Sequence, residues 1–213
     1  MTDSPTGSVV GPDGRRRCPW GAGDPLYLDY HDTEWGRPVS TVKGLYERLT
    51  LEAFQSGLSW ITILRKRPAF RAAFAGFDPV RVAAFDDQDV VRLMADAGIV
   101  RNRAKIDAAI SNARIIADWG QGFADLVLSF AQPDRPRPEQ VGHIPAVTPE
   151  STALSKALKK HGIRFFGPTT AYASMQAIGL VDDHLADCFV TFDRPRRSDV
   201  VSDLPGGTLP AKA

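Results

Sequence analysis

Through the middle of this chain the apolar residues recur every three to four positions, and that spacing restricts the fold to packed helices. The strongest run is LYERLTLEAFQSGLSWITIL, residues 45–64, with Leu45, Leu49 and Ala53 at steps of four. DDQDVVRLMADAG (86–98) ends on a helix-stopping Gly98, and RAKIDAAISNARIIADWG (103–120) keeps Ile106, Ile110 and Ala113 on one face. Asp78-Pro79 and Thr148-Pro149 mark helix starts, with proline where a first-turn N–H has no partner to lose; STALSKALKKHG follows the second. A further helix is expected from Thr169 to Gly179, and a short one through His184 and Cys188. Strand-like alternation is scarce, so the expected class is all-α.

A chain of 213 residues can bury one substantial core. Its first 17 residues and residues 193–213 lack any apolar period and are expected to be disordered tails around a domain spanning 18–192. Residues 131–149, with five prolines, read as an extended linker or long loop. No apolar run of about 18 residues exists, so a membrane span is excluded. The N-terminus has no apolar segment typical of a secretory signal, and two cysteines 170 positions apart make no disulfide framework. A cytoplasmic protein acting as a monomer is expected.

The formal net charge is +1, and residues 18–192 alone carry 19 basic and 20 acidic groups. Any contact with nucleic acid must therefore use local patches, helix N-termini and backbone amides rather than a global field.

Both cysteines have a histidine nearby: Cys18 and His31 near the start of the domain, His184 and Cys188 near its end. A Cys2His2 set would satisfy tetrahedral zinc, tie the two ends of a helical domain together and leave no open catalytic position. The other two histidines, His143 and His161, fall in the linker and at a helix end. Spacing alone leaves zinc and two unrelated Cys/His pairs equally open. Trp20, Tyr27, Tyr30 and Trp35 lie within sixteen residues, with Trp60 soon after. Such aromatics are ordinarily core; the alternative is a stacking pocket for a nucleobase. Glu52 is the sole charge between Arg48 and Arg65. Either it joins Gln55, Ser56 and Ser59 on a wet polar face, or it waits at the aromatic cluster for a cationic, hydrogen-bond-donating ligand. VVRLMADAGIVRNRAKIDAAI is a pair of amphipathic segments around a turn with Gly98, Arg101, Arg103 and Lys105. It reads equally as a phosphate-holding hairpin or as a plain helical corner.

Taken in order, RCPW, DPLYLDYHDTEWG, LEAFQSGLSWITIL, DAGIVRNRAKI, LSKALKKHG and MQAIGLVDDHLADC closely resemble the bacterial 3-methyladenine DNA glycosylase I family, over roughly residues 18 to 190. The resemblance implies a helix-hairpin-helix glycosylase fold and a structural zinc held by Cys18, His31, His184 and Cys188. It further implies excision of 3-methyladenine from alkylated double-stranded DNA by cleavage of the N-glycosidic bond, with the free base as product. Glu52 matches the base-binding, catalytic glutamate; Tyr30 and Trp60 match the pocket aromatics, with Trp20 and Tyr27 nearby. The general-base aspartate of the wider superfamily is implied to be missing, although Asp118 and Asp125 lie downstream of the hairpin. Two other classes compete: a damage reader that binds without cleaving, and a zinc hydrolase, which four protein ligands disfavour.

Overall fold

The computed structural model describes residues 6–192. Within them run α1 (Pro25–Thr33), α2 (Val42–Gln55), α3 (Trp60–Ala73), α4 (Pro79–Ala83), α5 (Asp87–Ala95), α6 (Arg103–Trp119), α7 (Gln121–Leu128), α8 (Pro149–Lys160) and α9 (Pro168–Ala177). The β structure among the described residues is one antiparallel pair, β1 (Val9–Val10) with β2 (Arg16–Arg17). The fold is helical, as the periodicity requires.

The helix starts follow from their caps. Asp78 accepts from the Val80 and Arg81 amides ahead of Pro79, and Asp86 forms a reciprocal box with Asp89 at α5. Thr148 and Ser151 do the same at α8, again with proline at the first position. Asn102 caps α6 through the Lys105 amide.

The packed centre is α2. Leu45, Tyr46, Leu51 and Phe54 are buried, and the Tyr46 hydroxyl donates to the Ala109 carbonyl of α6 at 3.0 Å. Phe54, Phe70, Phe74 and Phe77 pack ring to ring, the successive centroids 4.8, 6.1 and 5.7 Å apart. α9 lies against both α2 and α8, which seats its buried face beside the site described below.

Three sequence expectations change. The run 45–64 is two helices, broken at Ser56–Ser59 where Gly57 adopts φ +84°, a conformation open to glycine without a side-chain clash. Lys105 of α6 closes the end of α2, its Nζ donating to the Phe54 and Ser56 carbonyls at 3.0 and 2.7 Å. His184 and Cys188 stand on no helix. α9 ends at Ala177, Gly179 turns the chain at φ +76°, and Asp182 then takes the His184 amide and ring. A side chain at Gly179 would lie 2.6 Å from the Gly36 carbonyl oxygen, so that approach admits only glycine. The third change is at the start. In place of a disordered tail, residues 6–17 hold the β1–β2 hairpin, because the buried Arg17 guanidinium bonds both Asp13 (2.7 Å) and Asp32 (2.8 Å). Phe189 donates its amide to the Arg16 carbonyl at 2.9 Å, joining the hairpin to the far end of the domain. The expected tail at 193–213 lies outside the described residues.

Candidate active site and metal group

The α2–α3 break faces the aromatic segment 20–35 across a pocket of about 420 Å³, within the range of small-molecule sites. Trp20, Tyr27, Tyr30, Trp35 and Trp60 supply its rings, and Glu52 its carboxylate. Trp20 packs edge-on against Tyr27 (5.7 Å) and Trp35 (4.9 Å), while Tyr30 and Trp60 lie tilted at 5.4 Å. Tyr27 is fixed from outside, its hydroxyl accepting the Ile61 amide at 2.9 Å. The aromatic cluster is thus a pocket wall as well as core.

Glu52 is 6% exposed, which rules out the wet polar face; its helical companion Ser56 is the one in solvent. Burial pushes its carboxyl up to about 8 against the pull of Arg48. Arg48 does not neutralise it because Arg48 is committed to Glu34, which also binds Arg67. Arg67 and Arg71 in turn grip Glu47 and, despite burial, hold its carboxyl below the usual range. Behind the pocket, Arg48, Arg67 and Arg71 are thus engaged in ion pairs with Glu34 and Glu47. Inside it, the Tyr30 hydroxyl and the Trp60 Nε1 are buried without a hydrogen-bond partner. Buried polar groups are seldom left so, and these two sit beside a protonatable carboxyl in a pocket with room for a base.

The wall also draws on residues the sequence did not assign to a pocket. Val141 and Ile144 come from the proline-rich segment, Gln55 from α2, Ala173 and Gln176 from α9. Gln176 is oriented by donating to Asp183 at 2.7 Å. Asp118 is exposed at the end of α6 and Asp125 accepts from Gln121 at 3.0 Å; neither lines the pocket.

Cys18, His31 and Cys188 do converge: their ligand atoms lie within 4.8 Å of one another, all buried, and form a group able to hold a metal ion. His31 Nε2 is 3.6 Å from the Cys188 sulfur. Each histidine is tied on its other nitrogen, His31 Nδ1 to Asp32 and His184 Nδ1 to Asp182, both at 2.8 Å. With those aspartates ionised, Nδ1 carries the proton and Nε2 a lone pair, the arrangement metal-binding imidazoles use. His184 packs edge-on to His31 at 5.0 Å, and its Nε2 is buried with no partner. The Cys188 thiol is drawn well down by Cys18 and His31, while Cys18 is pushed up by Cys188 and by burial. One thiolate is thus already favoured, and the donor set fits a cation.

The basic hairpin is a different matter. Arg101 is exposed. Arg103 pairs with Asp107 at 2.9 Å, Lys105 is spent on α2, and the Gly98 amide donates to Asp96 at 2.7 Å. Of the four expected DNA contacts, Arg101 alone is uncommitted.

A helical protein whose aromatic, base-sized pocket closes on a buried carboxylate is built to hold a flat heterocycle that donates hydrogen bonds. A family model described as methyladenine glycosylase matches residues 20–191. The DNA-3-methyladenine glycosylase 1 of Escherichia coli (strain K12) is 51% identical over 177 residues, 81% of this chain and 95% of that protein. A solved 3-methyladenine DNA glycosylase I from Staphylococcus aureus superposes with a TM-score of 0.79 at 37% identity, over 84% of this chain and 97% of that one. A variant of a 3-methyladenine DNA glycosylase I, solved in complex with 3-methyladenine, gives 0.77 at 37% identity, over 83% of this chain and 98% of its own. The chain belongs to the methyladenine glycosylase family.

Proposed function

We propose that the protein is a monofunctional DNA glycosylase of base-excision repair, releasing 3-methyladenine from alkylated duplex DNA. The observation that carries this is Glu52, buried in the lining of an aromatic pocket while Arg48, the cation that acts on it, is paired with Glu34. Methylation at N3 makes adenine cationic and a good leaving group, so the enzyme needs little more than extrusion and capture of the base. Extrusion costs a few kcal/mol, and stacking on Trp60 and Tyr30 can return about 1–3 kcal/mol. Glu52 accepts a hydrogen bond from the base edge and, once ionised, opposes its charge. A neutral adenine offers neither charge nor a weakened glycosidic bond. Among the described residues Glu52 is the one acidic side chain lining the pocket, so bond cleavage leans on the leaving group rather than on a second carboxylate to activate water.

Zinc completes the reading. Cys18, His31, His184 and Cys188 would hold it, and its contribution when bound is structural: four protein ligands join the two ends of the domain. The α5–turn–α6 unit is read as the hairpin that meets the DNA backbone, through Arg101 and the first-turn amides of α6. No helix among the described residues is long and apolar enough to cross a membrane.

The test is incubation with methylated and unmethylated duplex, followed by chromatography of released bases. Release of 3-methyladenine from the first and of nothing from the second supports the reading. Tight binding without release would make the protein a damage reader.

A further inference from the structure

We infer that Gln176 is a specificity-determining residue of the base pocket, its side-chain oxygen accepting a hydrogen bond from the exocyclic amine of the captured adenine. The inference rests on the DNA-glycosylase reading above and deepens it, naming the group that tells an adenine from a 6-oxo base.

The place of Gln176 on α9 puts it between two environments. Ala173 and Gln176 stand three apart and both line the pocket. Tyr172 and Gln176 stand four apart and both bond the buried Asp183, at 2.5 and 2.7 Å. Gln176 therefore sits on the border between the stripe of α9 that faces the pocket and the stripe that faces Asp183.

Donors and acceptors alone decide which end of its amide faces which way. The network starts at Arg135, whose guanidinium can only donate. Its Nη1 lies 2.5 Å from the Tyr172 hydroxyl and 3.4 Å from Asp183 Oδ1. The Tyr172 oxygen accepts from Arg135, so its own proton goes to Asp183 Oδ2. Paired with a guanidinium, Asp183 only accepts, and the Gln176 amide must turn its Nε2 toward that same oxygen. The opposite orientation would set Oε1 against a carboxylate, oxygen to oxygen. Oε1 is thus left on the side of Ala173 and the pocket, without a partner among the described residues.

The other polar groups of the lining do not duplicate it. The Tyr30 hydroxyl and Trp60 Nε1 are donors, Tyr27 is bonded to the Ile61 amide, and Gln55 donates to the Leu58 carbonyl at 3.0 Å. Acceptors for a base come from Glu52 and Gln176 Oε1. An adenine carries at C6 an amine with two N–H groups, which can serve both. Guanine and hypoxanthine carry an oxygen there, and Oε1 would face it with no proton between them. Such a mismatch in a site shut off from water is strongly rejected.

The experiment titrates free 3-methyladenine and 3-methylhypoxanthine, an amine against an oxygen at C6, into the parent, Gln176→Met and Gln176→Ala. The parent should prefer 3-methyladenine. Gln176→Met should lose about tenfold in affinity for 3-methyladenine and nothing for the 6-oxo base, so the preference falls by that factor. Gln176→Ala, which removes the amide without adding bulk, should show the same fall. Variants that weaken both bases equally, or neither, would make Gln176 a plain wall residue and overturn the inference; a parent that binds the two bases alike overturns it directly. A parent that discriminates in these titrations but releases no base from methylated duplex would sink the excision reading and leave the role of Gln176 standing.

Discussion

The Tyr30 and Trp60 rings lie 5.4 Å apart, and the polar atom of each, the Tyr30 hydroxyl and the Trp60 Nε1, is buried without a hydrogen-bond partner. Two donors are thus kept dry beside the Glu52 carboxyl, which burial pushes up to about 8. The free pocket stores a cost that a ligand can relieve, which is how a site favours a base that can accept and donate at the right positions.

Tyr30→Phe tests that cost. Removing an unsatisfied buried hydroxyl should stabilise the free protein, by about 1 kcal/mol. Affinity for 3-methyladenine should fall several-fold at the same time. Thermal melting with and without the base reads both. A destabilised variant that binds the base normally would mean the hydroxyl has a partner in the free protein.

Glu52 should link base capture to pH. Its folded value, raised to about 8 from 4.5, means the folded protein holds an extra proton between those limits. Stability contributed by the neutral carboxyl is therefore present below pH 4.5 and lost as pH rises through 8. A ligand that needs the carboxylate meets few competent molecules at pH 6, about one in a hundred, and half of them at pH 8. Affinity for a permanently cationic methylated adenine should thus rise nearly tenfold per pH unit up to that point. Glu52→Gln should abolish the slope, and at pH 8 it should cost roughly tenfold to a hundredfold in affinity. A pH-independent wild type would place the acidic group elsewhere.

Some of this was legible in the sequence, and the reasons differ by residue. Glu52 stood out because a lone charge in a neutral helical run has to be explained, and burial supplied the explanation. The break after Gln55 did not, because apolar spacing continues on both sides of Gly57 and periodicity cannot register a turn that preserves it. His184 and Cys188 were paired for the wrong reason: their i, i+4 spacing implied a helix, whereas Gly179 and the Asp182–His184 bonds make a turn. Val141 and Ile144 carry no local signal, since a proline-rich loop becomes a pocket wall only through tertiary contacts such as the Ala186 amide to the Pro138 carbonyl. The N-terminal hairpin was missed because its order comes from Arg17 reaching Asp32, fifteen positions away, and not from apolar residues.

The metal group predicts one zinc per chain in protein purified without chelator, measured by elemental analysis. Structural zinc contributes on the order of 10 kcal/mol of apparent binding energy. Stripping it with a strong chelator, or replacing Cys188 by Ala, should lower the melting temperature by roughly 10 °C or more. Activity should persist in whatever fraction stays folded, because Cys18, His31, His184 and Cys188, the proposed ligands, lie outside the pocket lining. Fully active, fully stable protein without zinc would remove the metal from the fold.

The hairpin makes the last prediction, and its size follows from which side chains are free. Arg101 has no partner among the described residues, whereas Arg103 would have to release Asp107 to reach a phosphate. Both members of that pair are largely exposed, so the release costs little. Arg101→Ala/Arg103→Ala should therefore flatten the salt slope by between one and two, weakening all duplexes alike with no preference for methylated ones. Lys105→Ala should behave differently. It frees the Phe54 and Ser56 carbonyls at the end of α2, so it should destabilise the fold by about 1 kcal/mol and disturb base binding through the neighbouring pocket rim. Fluorescence titration of the free base separates the two, since the double arginine variant should leave that affinity untouched. If Lys105→Ala changed only the salt slope and left melting and base affinity alone, its ammonium would be a phosphate contact and not a helix cap.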